Sequence, residues 1–159
     1  MANYKGSEDM AFTPLEQADI GGTSATTSYV SMEGFNRATA YVELGTFNGS
    51  DDLDTCGFLQ ATDSSGTSSK DLTTSASGGN YDTDAPIDAD GNSIIIDMKA
   101  EDLDVDNGFT HIALTTAEGG NSGTDNVFGM LIRHDATHKA KEKNGAASAG
   151  AVVYVSTRS

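Results

Sequence analysis

Apolar and polar residues alternate along most of this chain, in short segments separated by Gly, Ser, Thr and Asp. An alternation with a period of two places one row of side chains against a core and the next row in water, which is typical of antiparallel strands. Ala38, Ala40, Val42 and Leu44, for example, share one face of their segment. The pattern predicts eight strands, at residues 27–32, 38–47, 55–62, 68–73, 93–99, 110–116, 126–134 and 151–157.

Two segments are apolar at consecutive positions, at 94–96 (Ile-Ile-Ile) and at 152–155 (Val-Val-Tyr-Val). Continuous apolar runs predict central strands that are covered on both faces. The expected core residues are Val42, Leu44, Ile95, Val153 and Val155. If Ile95 is fully packed, Ile95→Ala should cost about 2–5 kcal/mol of stability.

The eighteen glycines interrupt every window in which an ordinary helix could form, and only residues 98–103 favour a single helical turn. Eight strands with Gly, Asn and Asp turns predict an all-β fold, an antiparallel two-sheet β-sandwich that is jelly-roll-like and has little helix. A length of 159 residues fits one domain. We expect that domain to span 27–159, preceded by an extended N-terminal arm at 1–26.

The predicted arm has a poor strand pattern, with Phe12, Leu15 and Ile20 as isolated apolar anchors. A polar segment with scattered hydrophobic residues is typical of a segment that docks on another chain, and a frayed terminus is the alternative interpretation. A second long polar segment, at 74–92, exceeds the length at which structureless loops become uncommon. It is therefore either disordered or ordered by a neighbouring subunit.

The net charge of −15 is distributed unevenly, with −14 in residues 51–125 and +3 in residues 126–159. An acidic surface repels phosphates, which disfavours binding to nucleic acid. No run of apolar residues is long enough for a membrane span, so we expect no membrane partner and synthesis in the cytoplasm. The basic residues near the end of the chain are Arg133, Lys139, Lys141 and Lys143. They predict contact with an acidic partner, and the alternative interpretation is that they form a solvated loop.

Candidate chemistry is sparse. Cys56 has no activating His or Lys nearby in sequence and is expected to be a core thiol. The acidic run 102–108 resembles a calcium loop, but it has Asn107 where that loop needs Gly and Ala113 where it needs Glu. It therefore predicts a turn, with Leu103 and Val105 packed inward. His134 and His138 are four residues apart on a predicted strand end, which does not favour a zinc site. We expect no cofactor, no metal and no catalytic activity.

Three segments carry a resemblance to small virion proteins of tailed bacteriophages: Ser-Tyr-Val-Ser-Met at 28–32, Gln-Ala-Thr-Asp-Ser-Ser-Gly-Thr at 60–67 and Leu-Asp-Val-Asp-Asn-Gly-Phe at 103–109. The chain resembles this group from residue 27 to residue 159, and departs from it in the acidic segment 49–54 and the Lys-rich segment 136–144. The resemblance is closest to capsid decoration, or cement, proteins.

The resemblance implies a bacteriophage structural protein on the outer capsid surface of the virion. It would form a homo-dimer or homo-trimer and bridge subunits of the major capsid protein, thereby stabilising the shell. The alternative is a tail- or fibre-associated sandwich that binds host-surface glycans. That alternative predicts exposed aromatic side chains at loop tips, of which Tyr81 is the candidate.

Overall fold

The computed structural model describes residues 10–47, 52–73, 79, 81–82, 91–118 and 124–137. Within these residues the chain forms nine strands and no α-helix. The strands are β1 Ala11–Asp19, β2 Ser24–Thr26, β3 Val30–Ser31, β4 Phe35–Leu44, β5 Leu53–Ala61, β6 Lys70–Asp71, β7 Ser93–Lys99, β8 His111–Glu118 and β9 Asn126–Ala136. Two short 3₁₀ turns, Ala100–Asp102 and Val105–Asn107, link β7 to β8, so the helical turn predicted at 98–103 is confirmed as a 3₁₀ turn.

The strands form two antiparallel sheets, which confirms the predicted all-β sandwich. The four-stranded sheet has the order β1-β9-β4-β7, and the five-stranded sheet has the order β2-β8-β5-β6 with β3 also paired to β8. Among the described strands of the four-stranded sheet, β4 and β9 are central, whereas β1 and β7 are edge strands.

The hydrophobic core lies between the two sheets. The inner face of β4 is fully buried, from Ala38 through Val42 to Leu44, as the alternation predicted. Cys56 is also buried in this core, and burial raises the pKa of its thiol to about 12, as expected for an inert core cysteine. The sheets approach closely at Gly129, where an added Cβ would lie 3.0 Å from the Tyr41 carbonyl and 3.4 Å from a methyl of Leu114. A side chain at this position would therefore crowd the neighbouring strand β4 and would touch Leu114 of the opposite sheet.

The N-terminal arm is the first prediction that the structure corrects. Residues 11–19 and 24–26, assigned to the arm, are strands of the two sheets, and β1 pairs with β9 from Ala11 to Asp19. Pro14 weakened the strand pattern, but on an edge strand a residue without an N–H is tolerated because one side of the strand has no hydrogen-bonding neighbour. The sandwich thus begins near residue 11 rather than at residue 27.

The predicted burial of Ile95 is wrong, because only one face of β7 packs against the core of the described residues, and Ile95 lies on the other face. Ile95 is 67% exposed, whereas Ile94 and Met98 on the opposite face of the strand are buried. The apolar run at 94–96 is therefore not a central strand covered on both faces. Val153 and Val155, and the strand predicted at 151–157, lie outside the described residues.

We expect Ile95→Ala to change the free energy of unfolding by less than about 0.5 kcal/mol, because surface substitutions seldom cost more. Met98→Ala, on the buried face of the same strand, should cost about 2–5 kcal/mol. Urea unfolding of both variants measures the difference. A loss of more than about 2 kcal/mol for Ile95→Ala would mean that this side chain is covered in solution.

Candidate functional site

The outer face of the four-stranded sheet carries a set of apolar side chains that continues across all four strands. The register aligns Pro14 of β1 with Met130 of β9, Met130 with Tyr41 of β4, and Tyr41 with Ile95 of β7. In the next row of the same face, two residues along each strand, Phe12 of β1 is paired with Ile132 of β9. We call this surface the apolar sheet face and define it by Phe12, Pro14, Tyr41, Ile95, Phe128, Met130 and Ile132.

Three of these side chains are strongly exposed: Phe12 by 54%, Ile95 by 67% and Phe128 by 43%. Met130 and Ile132 are half-buried between their neighbours on adjacent strands. Directly opposed side chains in an antiparallel sheet have Cβ atoms about 4.5–5.5 Å apart, so these residues form one continuous surface. Because they project from paired strands, their positions are held by the backbone hydrogen bonds of the sheet.

Polar side chains border the apolar sheet face at both ends of the strands. At one end His134, Arg37 and Lys99 lie side by side on β9, β4 and β7. At the other end Glu43 on β4 and Glu16 on β1 are exposed. The face therefore has a basic end and an acidic end, with the apolar residues between them.

A hydrogen-bonded group lies next to the basic end. The hydroxyl of Thr39 donates to Asp97 on β7, and its oxygen lies 2.9 Å from Nε2 of His134 on β9. Lys99 forms an exposed ion pair with Glu101 at 3.1 Å. The contacts of Thr39 link outer side chains of the neighbouring strands β7, β4 and β9. Arg37 lies in the adjacent row, between His134 and Lys99.

Of the three apolar residues predicted to bind a partner from the arm, two belong to the chain's own core. Leu15 and Ile20 are buried between the sheets. Their strand alternation was hidden in the sequence by Pro14 and by the irregular register of β1 after Leu15. Phe12 alone remains exposed, and it belongs to the apolar sheet face.

Arg133 was predicted to contact an acidic partner, but its side chain has contacts within the chain. Ala38, paired with Arg133 in the register of β4 and β9, faces the core, so Arg133 also projects inward. Its guanidinium donates to the carbonyl of Ser31 and lies 5.0 Å over the ring of Phe35. Burial lowers the pKa of Arg133. Lys139, Lys141 and Lys143 lie outside the described residues.

The aromatic residue that a glycan site would require is not free at a loop tip. Tyr81 is half-buried against the core, and its hydroxyl donates to Asp102 at 2.5 Å. Burial, together with this hydrogen bond, raises the pKa of Tyr81 to about 12. The geometry therefore gives Tyr81 a structural contact within the chain.

The acidic segment 102–108 forms a turn, as predicted. Asp104 accepts hydrogen bonds from Lys70 at 2.5 Å and from Asn107 at 2.8 Å, and these contacts lower the pKa of its carboxyl. Gly108 has a φ of 85°, a left-handed conformation that suits glycine. Val105, which was expected to pack inward, is 58% exposed.

A search of the described residues finds no group of three or more His, Cys, Asp or Glu side chains that could hold a metal ion. The same part of the chain has no helix that is long and apolar enough to cross a membrane.

Sequence reasoning missed most of the apolar sheet face, although β9 contains a signal for it. In the segment 127–132 five of the six residues are large and apolar, so both faces of this strand are apolar. Val127 and Leu131 point into the core, while Phe128, Met130 and Ile132 point outward. A strand that is apolar on both faces, in a sheet with only one face against its partner sheet, predicts an exposed apolar surface.

Comparison with protein-family models finds no match, and comparison with curated proteins likewise finds none. Among solved structures, the chain is similar to a pilus protein of Bacillus endospore appendages, described as a novel family of disulfide-linked pili. The similarity covers 86% of this chain and 98% of the pilus chain, with 12% identity and a TM-score of 0.41. A likeness at this level supports no inference about function.

Proposed function

We propose that this chain is a structural protein that acts by binding other proteins, and specifically that it is a decoration protein of a tailed bacteriophage capsid. In this role it binds the outer capsid surface and stabilises the shell by bridging subunits of the major capsid protein. The apolar sheet face is the observation that supports a binding role. The assignment to a capsid rests on the resemblance carried by residues 28–32, 60–67 and 103–109.

The composition of the apolar sheet face suits an interface between proteins. Aromatic residues and Met are enriched at the centres of protein interfaces, and this face presents Phe12, Tyr41, Phe128 and Met130 together. The largest contiguous apolar patch on a soluble protein is often a functional surface. The face is also rigid, since it is built on paired strands, so little conformational entropy is lost when it is covered.

The acidic surface is consistent with this role. A net charge of −15 keeps separate copies soluble and repels the nucleic acid that a capsid encloses. A decoration protein needs only modest affinity at each contact, because many copies hold neighbouring subunits at once and the shell ruptures only if many contacts break together.

Binding to capsid shells tests the proposal. Purified protein is mixed with empty heads assembled from the major capsid protein of the same genome, and bound protein is separated by sedimentation. We expect saturable binding with a fixed number of copies per shell, and we expect bound shells to resist heating better than bare shells. Shells that are already saturated serve as the control and should take up no more protein. Absence of binding at low ionic strength would contradict the proposal.

A charge-reversal variant tests the contribution of the basic residues near the end of the chain. Changing Lys139, Lys141 and Lys143 to Glu should slow attachment to bare shells and weaken its dependence on salt, because charges at the rim of an interface mainly affect the association rate. Attachment of this variant at the wild-type rate at low ionic strength would show that these lysines take no part in binding.

A further inference from the structure

We propose that the apolar sheet face is a two-fold interface between two copies of this chain, in which Arg37 of each copy pairs with Glu43 of the other. This deepens the proposed function by naming one partner of the face, and it rests on that function only in treating the chain as an assembly protein. The distribution of charge on the face and the register of its strands support it.

The charges on the apolar sheet face are arranged to complement a second, inverted copy. Arg37 and Glu43 lie on the same outer face of the central strand β4, at opposite ends of the apolar residues. The basic end also contains Lys99 and His134, and the acidic end also contains Glu16. A partner that covers the apolar residues and satisfies both ends must present the same pattern in reverse.

A two-fold axis provides that reversal when it lies in the interface, perpendicular to the strands. Each strand then packs on its own copy in the antiparallel direction, so β4 faces β4 and β9 faces β9. Packing of two sheets face to face with nearly aligned strands is common in proteins. An axis that runs parallel to the strands would instead place the two basic ends together, which like charges disfavour.

The register defines the pairs that this symmetry brings together. With the axis midway between the rows of Thr39 and Tyr41, Met130 of one copy lies over Ile132 of the other, and the reverse pair is identical. Glu43 then lies over Arg37 at both ends of the central strand. The centre of the interface is therefore mostly apolar, with Thr39 and Asp97 of each copy facing Tyr41 and Ile95 of the other, and two equivalent ion pairs flank it.

Arg37 and Glu43 cannot form this pair within one chain. They are six residues apart on one extended strand, which separates them by about 20 Å. Any energetic coupling between these two side chains must therefore arise between copies, which makes the pair a specific test of the interface.

The size of the face indicates a weak dimer. Four strands about 4.8 Å apart and some 20 Å of strand length give roughly 400 Å² of flat sheet per copy. A standard interface buries about 800 Å² per partner. We therefore expect a dimer that dissociates on dilution and that depends on both the apolar centre and the flanking charges.

Sedimentation equilibrium of the full chain over a wide concentration range, at about 0.15 M salt so that the repulsion between two acidic copies is screened, tests the inference. We expect a monomer–dimer equilibrium for the wild type. Arg37→Glu and Glu43→Arg should each weaken dimerisation by about tenfold, and the double variant should recover an affinity close to that of the wild type. Circular dichroism and urea unfolding confirm that each variant is folded.

A second pair of variants tests the apolar centre. Met130→Glu, which places a charge at the middle of the face, should abolish the dimer. Val105→Glu is the matched control, because Val105 is a similarly apolar residue that is 58% exposed outside this face. It should leave dimerisation unchanged.

Three results would overturn the inference: a monomer at every concentration, a dimer that Met130→Glu leaves intact, or a charge-reversed double variant that does not recover. A monomer would mean that another segment of this chain, or a different protein, covers the face. These outcomes are separate from the test on capsid shells. A dimer that fails to bind shells would contradict the proposed capsid role and leave the interface standing.

Discussion

Replacing Leu114 with alanine should lower the free energy of unfolding by about 3–5 kcal/mol, at the upper end of what a single core truncation costs. Leu114 is fully buried on the inner face of β8, and its side chain reaches the point where Gly129 of the opposite sheet allows close approach. A cavity here would lie between two sheets held apart by their other side chains, so the surroundings cannot collapse to fill it.

Thr115→Ala is the control for this variant, because Thr115 is the next residue on the same strand and its side chain lies on the outer face. We expect it to cost less than about 1 kcal/mol, mainly through its hydrogen bond to Thr26. Urea unfolding at neutral pH measures both variants. If Leu114→Ala cost no more than Thr115→Ala, the two sheets would not be packed against each other at this point.

Alternation in the sequence predicted the strands that have one face on the core. The segment 38–45 gave the inner face of β4 correctly, and residues 93–99 and 126–134 were located within a few residues of β7 and β9. In β4 the burial of alternate side chains is visible in the sequence as a period of two, whereas the sequences of β7 and β9 contain consecutive apolar residues. The two-sheet sandwich follows from these strands and was predicted on the same basis.

The position of a strand within its sheet could not be predicted in the same way. The Ile-Ile-Ile run at 94–96 has the composition of a central strand, yet among the described strands β7 pairs with β4 alone, and Ile95 lies exposed on its outer face. Conversely β1, interrupted by Pro14, was predicted as part of an extended N-terminal arm but pairs along β9. Which strand is at an edge depends on pairings between segments fifty or more residues apart, and local composition does not specify them.

The full set of residues in the apolar sheet face could not be predicted from the sequence, for the same reason. Its central row combines Pro14, Tyr41, Ile95 and Met130, which come from four segments spread over more than a hundred residues. Only the register of three strand pairings brings them into line. The sequence did provide Phe12 as an exposed apolar residue, although its neighbours Leu15 and Ile20, grouped with it, pack in the core.

Replacing Gln60 with glutamate should destabilise the protein by about 3 kcal/mol at neutral pH and much less in acid. Gln60 is buried on β5 and uses both ends of its amide. Its Nε2 donates to the carbonyl of Asp71 at 3.2 Å, and its Oε1 accepts from the backbone N–H of Asp104 at 3.0 Å. An ionised carboxylate keeps the second bond but has no proton to donate to Asp71.

The expected dependence on pH follows from the pKa of the introduced carboxyl. Burial, and the carbonyl that needs a donor, favour the protonated form, so its pKa in the folded protein is raised above the value of about 4.3 found in unfolded chains. Because the folded pKa is raised, the protonated carboxyl contributes its stability fully below about pH 4, and this contribution is lost as the pH rises through the folded pKa.

The measurement is the difference in unfolding free energy between Gln60→Glu and the wild type, determined with urea at several pH values between 4 and 8. Taking the difference removes the effects of acid that both proteins share. Gln60→Met is the control, because it loses both hydrogen bonds without introducing a charge. Its difference in unfolding free energy from the wild type should be the same at every pH. If Gln60→Glu showed the same constant difference, the side chain at this position would be in contact with water and would not bridge β5, β6 and the turn that contains Asp104.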